Sequence, residues 1–281
     1  NECAIKAARK YAAEKKGEDF YKIITLNNSF HGRTITTLSA TGQDVFHNDF
    51  LPLTDGFIYC EANNCEELKE LVENNNVAAI MFEAVQGEGG VLPLTKEFVE
   101  TIFALAKAND ILTIADEVQT GNGRTGKLYA YMNYGVKPDI FSTAKGLGGG
   151  LPLGATVLGE KVENVLAAGD HGSTFGGNPI ACAGAVNILS RIDDALLDGV
   201  CKKSNYIIEK LTAAKGVKSI TGLGFMLGIE TEKDASEVIA ECRNNGVLVI
   251  KAKNKVRLLP ALNIPNDLLE KAIDVIINAL A

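Results

Sequence analysis

Residues 111–150 read ILTIADEVQTGNGRTGKLYAYMNYGVKPDIFSTAKGLGGG, and they are the most informative segment for the fold class. It contains two short apolar runs, and a long glycine-containing connection joins them. The first run stops at Asp116, and the second is followed directly by Lys145. Strands buried in a parallel sheet have this apolar character, and ligands bind beyond their carboxyl ends. The stretch therefore predicts two adjacent strands whose ends bring charged residues to a ligand-binding rim.

Further apolar runs of the same kind occur over residues 1–190 and alternate with helical patterns. The apolar runs are Tyr21–Leu26, Val77–Phe82, Ile111–Ala115, Asp139–Ala144 and Gly154–Leu158. Helical patterns lie between or beside them at Cys3–Lys16, Cys65–Glu73 and Thr95–Ala108, and from Asn178 to about Arg191. This alternation is typical of βαβ units, so we predict a large α/β domain with a mostly parallel sheet.

The order of predicted helices and strands is different over residues 191–281. The predicted elements are a helix at Ala195–Ala214, strands at Val217–Thr221 and Phe225–Glu230, a helix at Asp234–Asn244, strands at Val247–Ile250 and Val256–Leu259, and a final helix. Short strands mixed with helices in this order predict a smaller α+β domain.

Composition narrows the class of protein. The chain has 281 residues, 46% of them hydrophobic, and its net charge of -7 argues against a broad basic face for nucleic acid or anionic lipid. No run approaches the roughly 20 apolar residues that a membrane span requires, so we expect a cytoplasmic protein. The six cysteines are scattered without metal-site spacing, which predicts buried, reduced thiols and no metal site.

The predicted rim carries Glu83, Asp116 and Lys145, because each follows an apolar run. Any one of them alone is more often a solvated loop residue. The lysine precedes its glycines, whereas a phosphate-binding nucleotide loop places the lysine after them, so a nucleotide site is disfavoured. A lysine in a partly desolvated pocket is suited to attack a carbonyl, and Asp116 could keep a pyridine nitrogen protonated.

Four motifs carry a resemblance to a known family. They are SFHGRT at 29–34, EAVQGEGGV at 83–91, the stretch from DEVQTG to LPLGA at 116–155, and HGSTFGGNP at 171–179. Together and in this order they closely resemble the class-III, ornithine-type aminotransferases. The resemblance implies the type I fold of pyridoxal 5'-phosphate (PLP) enzymes and PLP as cofactor. It also implies a homodimer whose active sites are completed across the interface.

The resemblance implies a role for each residue around the cofactor. Lys145 would form a Schiff base with PLP and then carry the proton between substrate and cofactor. Asp116 would pair with the pyridine nitrogen, and Gln119 would approach the phenolic oxygen. Val118 and Phe30 would cover opposite faces of the ring.

The resemblance also implies how substrates bind. Arg33 would hold the substrate α-carboxylate with its guanidinium fork. Arg257 would receive the α-carboxylate of glutamate or 2-oxoglutarate, and Glu88 would neutralise it when an ornithine-like donor is bound. Ser173 and Thr174 would reach the cofactor phosphate of the neighbouring subunit.

The implied reaction moves the terminal amino group of N-acetylornithine to 2-oxoglutarate, giving N-acetylglutamate semialdehyde and glutamate in arginine biosynthesis. Ornithine, succinylornithine and 4-aminobutyrate remain possible donors, and an aminomutase is least favoured. A PLP-fold protein without activity is the non-enzymatic alternative. Because Asn1 enters a helix without an initiator Met or a phosphate-binding turn, we also expect a missing leading segment.

Overall fold

The computed structural model describes residues 1–281, which form two units. The first unit comprises Asn1–Ala84, Leu94–Gln119 and Tyr131–Leu189. The second comprises Val85–Pro93, Thr120–Ala130 and Ser190–Ala281. The change of unit near residue 190 lies where the order of predicted helices and strands changes. Two short earlier segments, Val85–Pro93 and Thr120–Ala130, also belong to the second unit. A division of the chain into two consecutive domains at residue 190 does not include them in the second domain.

Twelve strands and eight helices carry the architecture. The strands are β1 (Lys22–Leu26), β2 (Phe57–Cys60), β3 (Val77–Phe82), β4 (Val85–Gln86), β5 (Leu92–Pro93), β6 (Leu112–Asp116), β7 (Ile140–Thr143), β8 (Ala155–Leu158), β9 (Val217–Leu223), β10 (Met226–Thr231), β11 (Ile250–Ala252) and β12 (Lys255–Leu258). The helices are α1 (Glu2–Lys16), α2 (Ile35–Ala40), α3 (Cys65–Glu73), α4 (Lys96–Ala108), α5 (Pro179–Leu189), α6 (Asp194–Thr212), α7 (Ala235–Asn244) and α8 (Asn266–Leu280).

The first unit is built on a six-stranded sheet in the order β2-β1-β3-β6-β7-β8. All neighbours pair in parallel except β7 and β8, which pair antiparallel at one edge. The prediction of a mostly parallel α/β sheet is therefore confirmed. Strands β3, β6 and β7 are consecutive neighbours, so their carboxyl ends lie along one rim, as the ionisable residues after each run predicted.

Apolar side chains on both faces bury this sheet. Every residue of β3 is buried, because its successive side chains point alternately to the two faces and both are covered. Ala79 and Met81 join the core cluster that α1 forms with Ile5 and Ala8. Phe82 points the other way and meets Phe103 of α4 edge to face, with ring centroids 6.3 Å apart.

The second unit is built on an antiparallel sheet in the order β11-β12-β10-β9. One face carries Leu227, Ile229 and Val256, which lie in a core cluster with residues of α6, α7 and α8. The opposite face carries Met226, which clusters with Val85 of the β4–β5 hairpin. The sheet is thus covered by helices on one side and contacted by the hairpin on the other.

The cysteines depart from expectation. All are free thiols, but only Cys60 and Cys242 are buried. The prediction of buried thiols is wrong for Cys201, which is exposed on α6, and Cys3, Cys65 and Cys182 are half-buried. Small side chains on amphipathic helices can lie at the edge of the apolar stripe, where burial is partial. No helix combines the length and apolar character needed to cross a membrane.

Candidate active site

Asp116 ends β6 and is the centre of a buried hydrogen-bond network in the first unit. Its Oδ1 accepts a hydrogen bond from the Val118 backbone N–H at 3.0 Å. Its Oδ2 accepts from Asn1 Nδ2 at 2.7 Å and pairs with His31 Nδ1 at 2.8 Å. Asn1 is itself fixed by Ser142, whose hydroxyl donates to Asn1 Oδ1 at 2.6 Å. The carboxylate therefore has a fixed position and orientation at the rim.

The network keeps Asp116 ionised. Burial raises the pKa of this carboxyl, but hydrogen bonds and charge from His31, the Val118 N–H and Asn1 outweigh burial and hold the pKa below its usual range. Because an ionised carboxylate only accepts hydrogen bonds, His31 Nδ1 carries a proton at this contact. A buried negative charge is therefore available at this rim at neutral pH.

This charge gives the fold a defined acid response. Asp116 has a folded pKa below its unfolded value of about 3.9, so its contribution to stability is complete above that value and is lost as the pH falls through the folded pKa. The difference in free energy of unfolding between the parent chain and Asp116→Asn should shrink as the pH falls below about 4, because Asp116 then takes up a proton in the parent chain. Urea denaturation at a series of pH values measures it. A difference that does not shrink below about pH 4 would contradict the assignment.

Lys145 lies just beyond the end of β7, which pairs in parallel with β6. Its backbone has a φ of 48°, a left-handed conformation that is uncommon for residues other than glycine. The side chain is exposed in the single chain, so the predicted partial desolvation is absent there. Gly146 and the glycines that follow carry no side chains to cover the amine. The amine is accessible at the same rim as Asp116.

Phe30 and Arg33 form an aromatic–cation cluster after β1. The Phe30 backbone N–H donates to the buried carboxylate of Glu83 at 3.1 Å, which fixes the position of the ring-bearing residue. The Arg33 guanidinium carbon lies 5.4 Å from the Phe30 ring centroid and 5.2 Å from that of Phe46. The two rings meet edge to face with centroids 5.3 Å apart. Stacking against two aromatic rings restricts the guanidinium.

Glu88 and Arg257 form an ion pair within the second unit. Arg257 Nη1 donates to Glu88 Oε1 at 2.9 Å and to the Gly87 carbonyl at 3.0 Å. The Arg257 side chain is 7% exposed and that of Glu88 is 34% exposed. The pair was predicted from the resemblance, and the structure brings the two residues together. Glu88 is thus the more solvent-accessible partner of the pair.

The remaining predicted residues occupy different positions. Val118 and Gln119 lie two and three residues after Asp116 and are half-buried, whereas Ser173 and Thr174 lie in an exposed loop before α5. Sequence reasoning missed Asn1, Ser142 and His31. His31 stands inside the SFHGRT motif and could have been found there, whereas Asn1 and Ser142 are brought to Asp116 only by the tertiary fold.

Comparison with known proteins identifies the family. The family model described as "Aminotransferase class-III" matches residues 1–280. The chain belongs to the class-III aminotransferase family. It is 46% identical to the acetylornithine aminotransferase of Haemophilus ducreyi, over 100% of the chain and 72% of that relative. It is also 46% identical to that of Caldanaerobacter subterraneus, over 100% of the chain and 73% of the relative.

Solved structures of this family share the fold. The ornithine aminotransferase of Toxoplasma gondii superposes with a TM-score of 0.92 at 34% identity, covering 99% of this chain and 69% of that one. The N-acetylornithine aminotransferase of Stenotrophomonas maltophilia gives a TM-score of 0.84 at 31% identity, covering 99% of this chain and 71% of that one. The chain is therefore a PLP-dependent aminotransferase of type I fold.

The residues at the rim fit this cofactor. PLP offers a ring nitrogen that is protonated when it faces a carboxylate, and an aldehyde that reacts with an amine. Asp116 supplies a buried, ionised carboxylate, and Lys145 supplies an exposed amine on the adjacent strand end. The chemistry of these two residues thus matches the two ends of the cofactor ring.

Proposed function

We propose that the protein transfers the terminal amino group of N-acetylornithine to 2-oxoglutarate and acts in arginine biosynthesis. The observation that carries the proposal is the ion pair between the buried Arg257 and the more exposed Glu88, at 2.9 Å. An enzyme that alternates between a dicarboxylate and a donor without a second carboxylate needs a cation that can be covered and uncovered. The curated relatives at 42–46% identity are acetylornithine aminotransferases, which supports this donor.

The bound cofactor would act as the electron sink of the reaction. Lys145 would hold it covalently at rest and, once released, move the proton at the reacting carbon. Asp116 would keep the ring nitrogen protonated, while Phe30, Val118 and Gln119 would orient the ring. Ser173 and Thr174 would donate hydroxyl hydrogen bonds to the phosphate held by the partner subunit.

Arg33 would clamp the α-carboxylate of the donor. Its guanidinium already lies against Phe30 and Phe46, so little side-chain freedom is lost when the substrate binds. Rates with N-acetylornithine, ornithine, succinylornithine and 4-aminobutyrate, each with 2-oxoglutarate, test the donor. N-acetylornithine is expected to give the highest kcat/KM. Ornithine is the second candidate, because ornithine aminotransferases are close structural neighbours, and a higher kcat/KM with ornithine would replace the first proposal.

Arg257→Met is expected to reduce kcat/KM for 2-oxoglutarate by roughly 10²-fold, because the cation that pairs with its carboxylate is lost from a buried position. The half-reaction with the amino donor should fall far less. Steady-state kinetics with each substrate varied in turn measures the contrast. Arg243→Met, at an exposed position on α7, is the matched control and should leave both constants unchanged. Equal losses in both half-reactions for Arg257→Met would contradict its role.

A second copy of the chain would cover the loop and helix at 171–189. Phe175, Ile180 and Val186 are 83%, 72% and 68% exposed, although α5 is strongly apolar in sequence. Such a face is expected to associate, and it adjoins the predicted phosphate contacts at Ser173 and Thr174. These features support a homodimer with shared active sites.

The double variant Ile180→Glu, Val186→Glu is expected to shift the protein from dimer to monomer and to weaken PLP binding. Buried carboxylates without partners oppose the interface, and the partner's hydroxyl groups are then lost from the site. Light scattering after size exclusion gives the mass, and a cofactor titration gives the affinity. Leu248→Glu, at a position 84% exposed in the second unit, is the control. A parent chain that is monomeric at working concentration would refute the dimer.

A further inference from the structure

The loop that carries Glu88 ends in an unusual backbone conformation. Residues 87–91 connect β4 to β5, and Val91 has a φ of 54°. A positive φ is an outlier for a β-branched residue, since its side chain crowds the backbone there. Such a conformation persists only where the surroundings enforce it. Val91 is fully buried, so its packing partners must supply that restraint.

One of the packing partners of Val91 is Gly228 in the antiparallel sheet. A Cβ placed on Gly228 would lie 2.9 Å from Val91 Cβ and 3.1 Å from Val91 Cγ2, closer than real side chains approach. Gly228 pairs with Arg257 in the register of β10 and β12. Val91 therefore packs into the space left by the missing side chain, beside the strand position that carries Arg257.

We propose that Val91 and Gly228 are positioning residues that place the Glu88 carboxylate on Arg257, and thereby set how strongly the enzyme binds a dicarboxylate acceptor. This inference rests on the proposed exchange of Glu88 for substrate at Arg257. The contact of Val91 with Gly228 fixes the height of the loop at residues 87–91 above the antiparallel sheet. That height determines whether Glu88 and the Gly87 carbonyl both reach the guanidinium.

The geometry leaves little tolerance for movement. Glu88 Oε1 and Gly87 O lie 2.9 Å and 3.0 Å from Arg257 Nη1. An alanine at position 228 would have to move Val91 outward by about 0.5 to 1 Å to reach an ordinary carbon–carbon contact. A movement of that size carries a hydrogen bond beyond its normal range. The contacts of Arg257 with Glu88 and Gly87 would then weaken, and Glu88 would compete less strongly with a dicarboxylate for the guanidinium.

The test is the dissociation constant for 2-oxoglutarate, measured by calorimetry on the PLP-loaded protein. Glu88→Gln is expected to lower this constant by at least about fivefold, because the competing charge is removed. Gly228→Ala should lower it by about three- to tenfold in the parent and by less than about twofold in the Glu88→Gln background, since both changes act on the same pair. Gly199→Ala is the matched control, because a Cβ there meets nothing within 4 Å.

A rescue distinguishes positioning from general loosening. In the double variant Gly228→Ala, Val91→Gly, the new methyl group takes the space that the valine vacates, and glycine adopts a positive φ without strain. This double variant should return the dissociation constant to within about twofold of the parent value, as expected for coupled neighbours. Where Gly228→Ala alone fails to fold, Val91→Gly alone carries the test and should lower the constant only when Glu88 is present.

The outcomes separate the inference from the function beneath it. If Glu88→Gln lowers the constant but folded Gly228→Ala leaves it unchanged, or changes it equally in both backgrounds, the positioning role is wrong. Failure of the double variant to recover parent-like binding also overturns it. If Glu88→Gln itself has no effect, the proposed exchange at Arg257 is wrong, and the inference falls with it. Circular dichroism of each variant confirms that the fold is retained.

Discussion

Lys145→Ala is expected to reduce transamination by roughly 10³-fold or more, because one side chain supplies both the covalent link to the cofactor and the proton transfer. The lysine stands at the end of β7, on the same rim as Asp116, and its exposure gives it free access to an aldehyde. Steady-state activity and the visible absorption of the lysine-linked cofactor measure the two roles separately.

The control for this prediction is Lys137→Ala. Lys137 lies before the same strand, with its side chain 77% exposed and only a surface contact to Glu160. Its loss should leave both activity and absorption at parent levels. If Lys145→Ala retained the absorption band of the linked cofactor, another amine would form the bond, and the assignment of Lys145 would be wrong.

Asp116→Asn is expected to lower the rate of the half-reactions by roughly 10²- to 10³-fold, because a neutral amide cannot hold the ring nitrogen protonated. The cofactor should stay attached, since Lys145 is intact. Absorption should therefore persist while single-turnover rates fall, a split that simple loss of cofactor would not produce.

Asp110→Asn is the matched control for this change. Asp110 precedes β6 at the strand's other end and pairs with Lys161 at 2.7 Å. It belongs to the same unit but lies away from the rim, so it should not change single-turnover rates. Parent-like rates in Asp116→Asn would show that the buried carboxylate is not the partner of the ring.

The sequence predicted most of the elements because the buried strands are continuous apolar runs. Strand β3 was placed to the residue, and the end of α1 was marked by Gly17, which has a φ of 105°. Helix α2 was missed, since ITTLSA is rich in β-branched residues that do not favour helices and its packing is supplied by the fold. Strand β2 was also missed, because four residues give too short a pattern to recognise.

The candidate site, like the fold, could be predicted from the sequence only in part. The order of the strands made the shared rim of Asp116 and Lys145 predictable from strand ends alone. The Glu88–Arg257 pair followed from the resemblance and not from any local pattern. Phe46 could not be found, because its contact with Arg33 depends on how the chain after α2 folds back. The contact between Val91 and Gly228 likewise forms only when the β4–β5 hairpin packs on the antiparallel sheet.

The contacts of Asp116 also bear on the order in which the chain folds and becomes able to bind its cofactor. Its partners Asn1 and His31 are 115 and 85 residues away along the chain, and Ser142 reaches Asn1 across 141 residues. Contacts between such distant positions carry a high loop-closure cost and are slow to form. We therefore expect a refolding chain to gain helical signal well before it can recognise the ring of PLP. Recovery of bound cofactor would then serve as a reporter of completed assembly of the first unit.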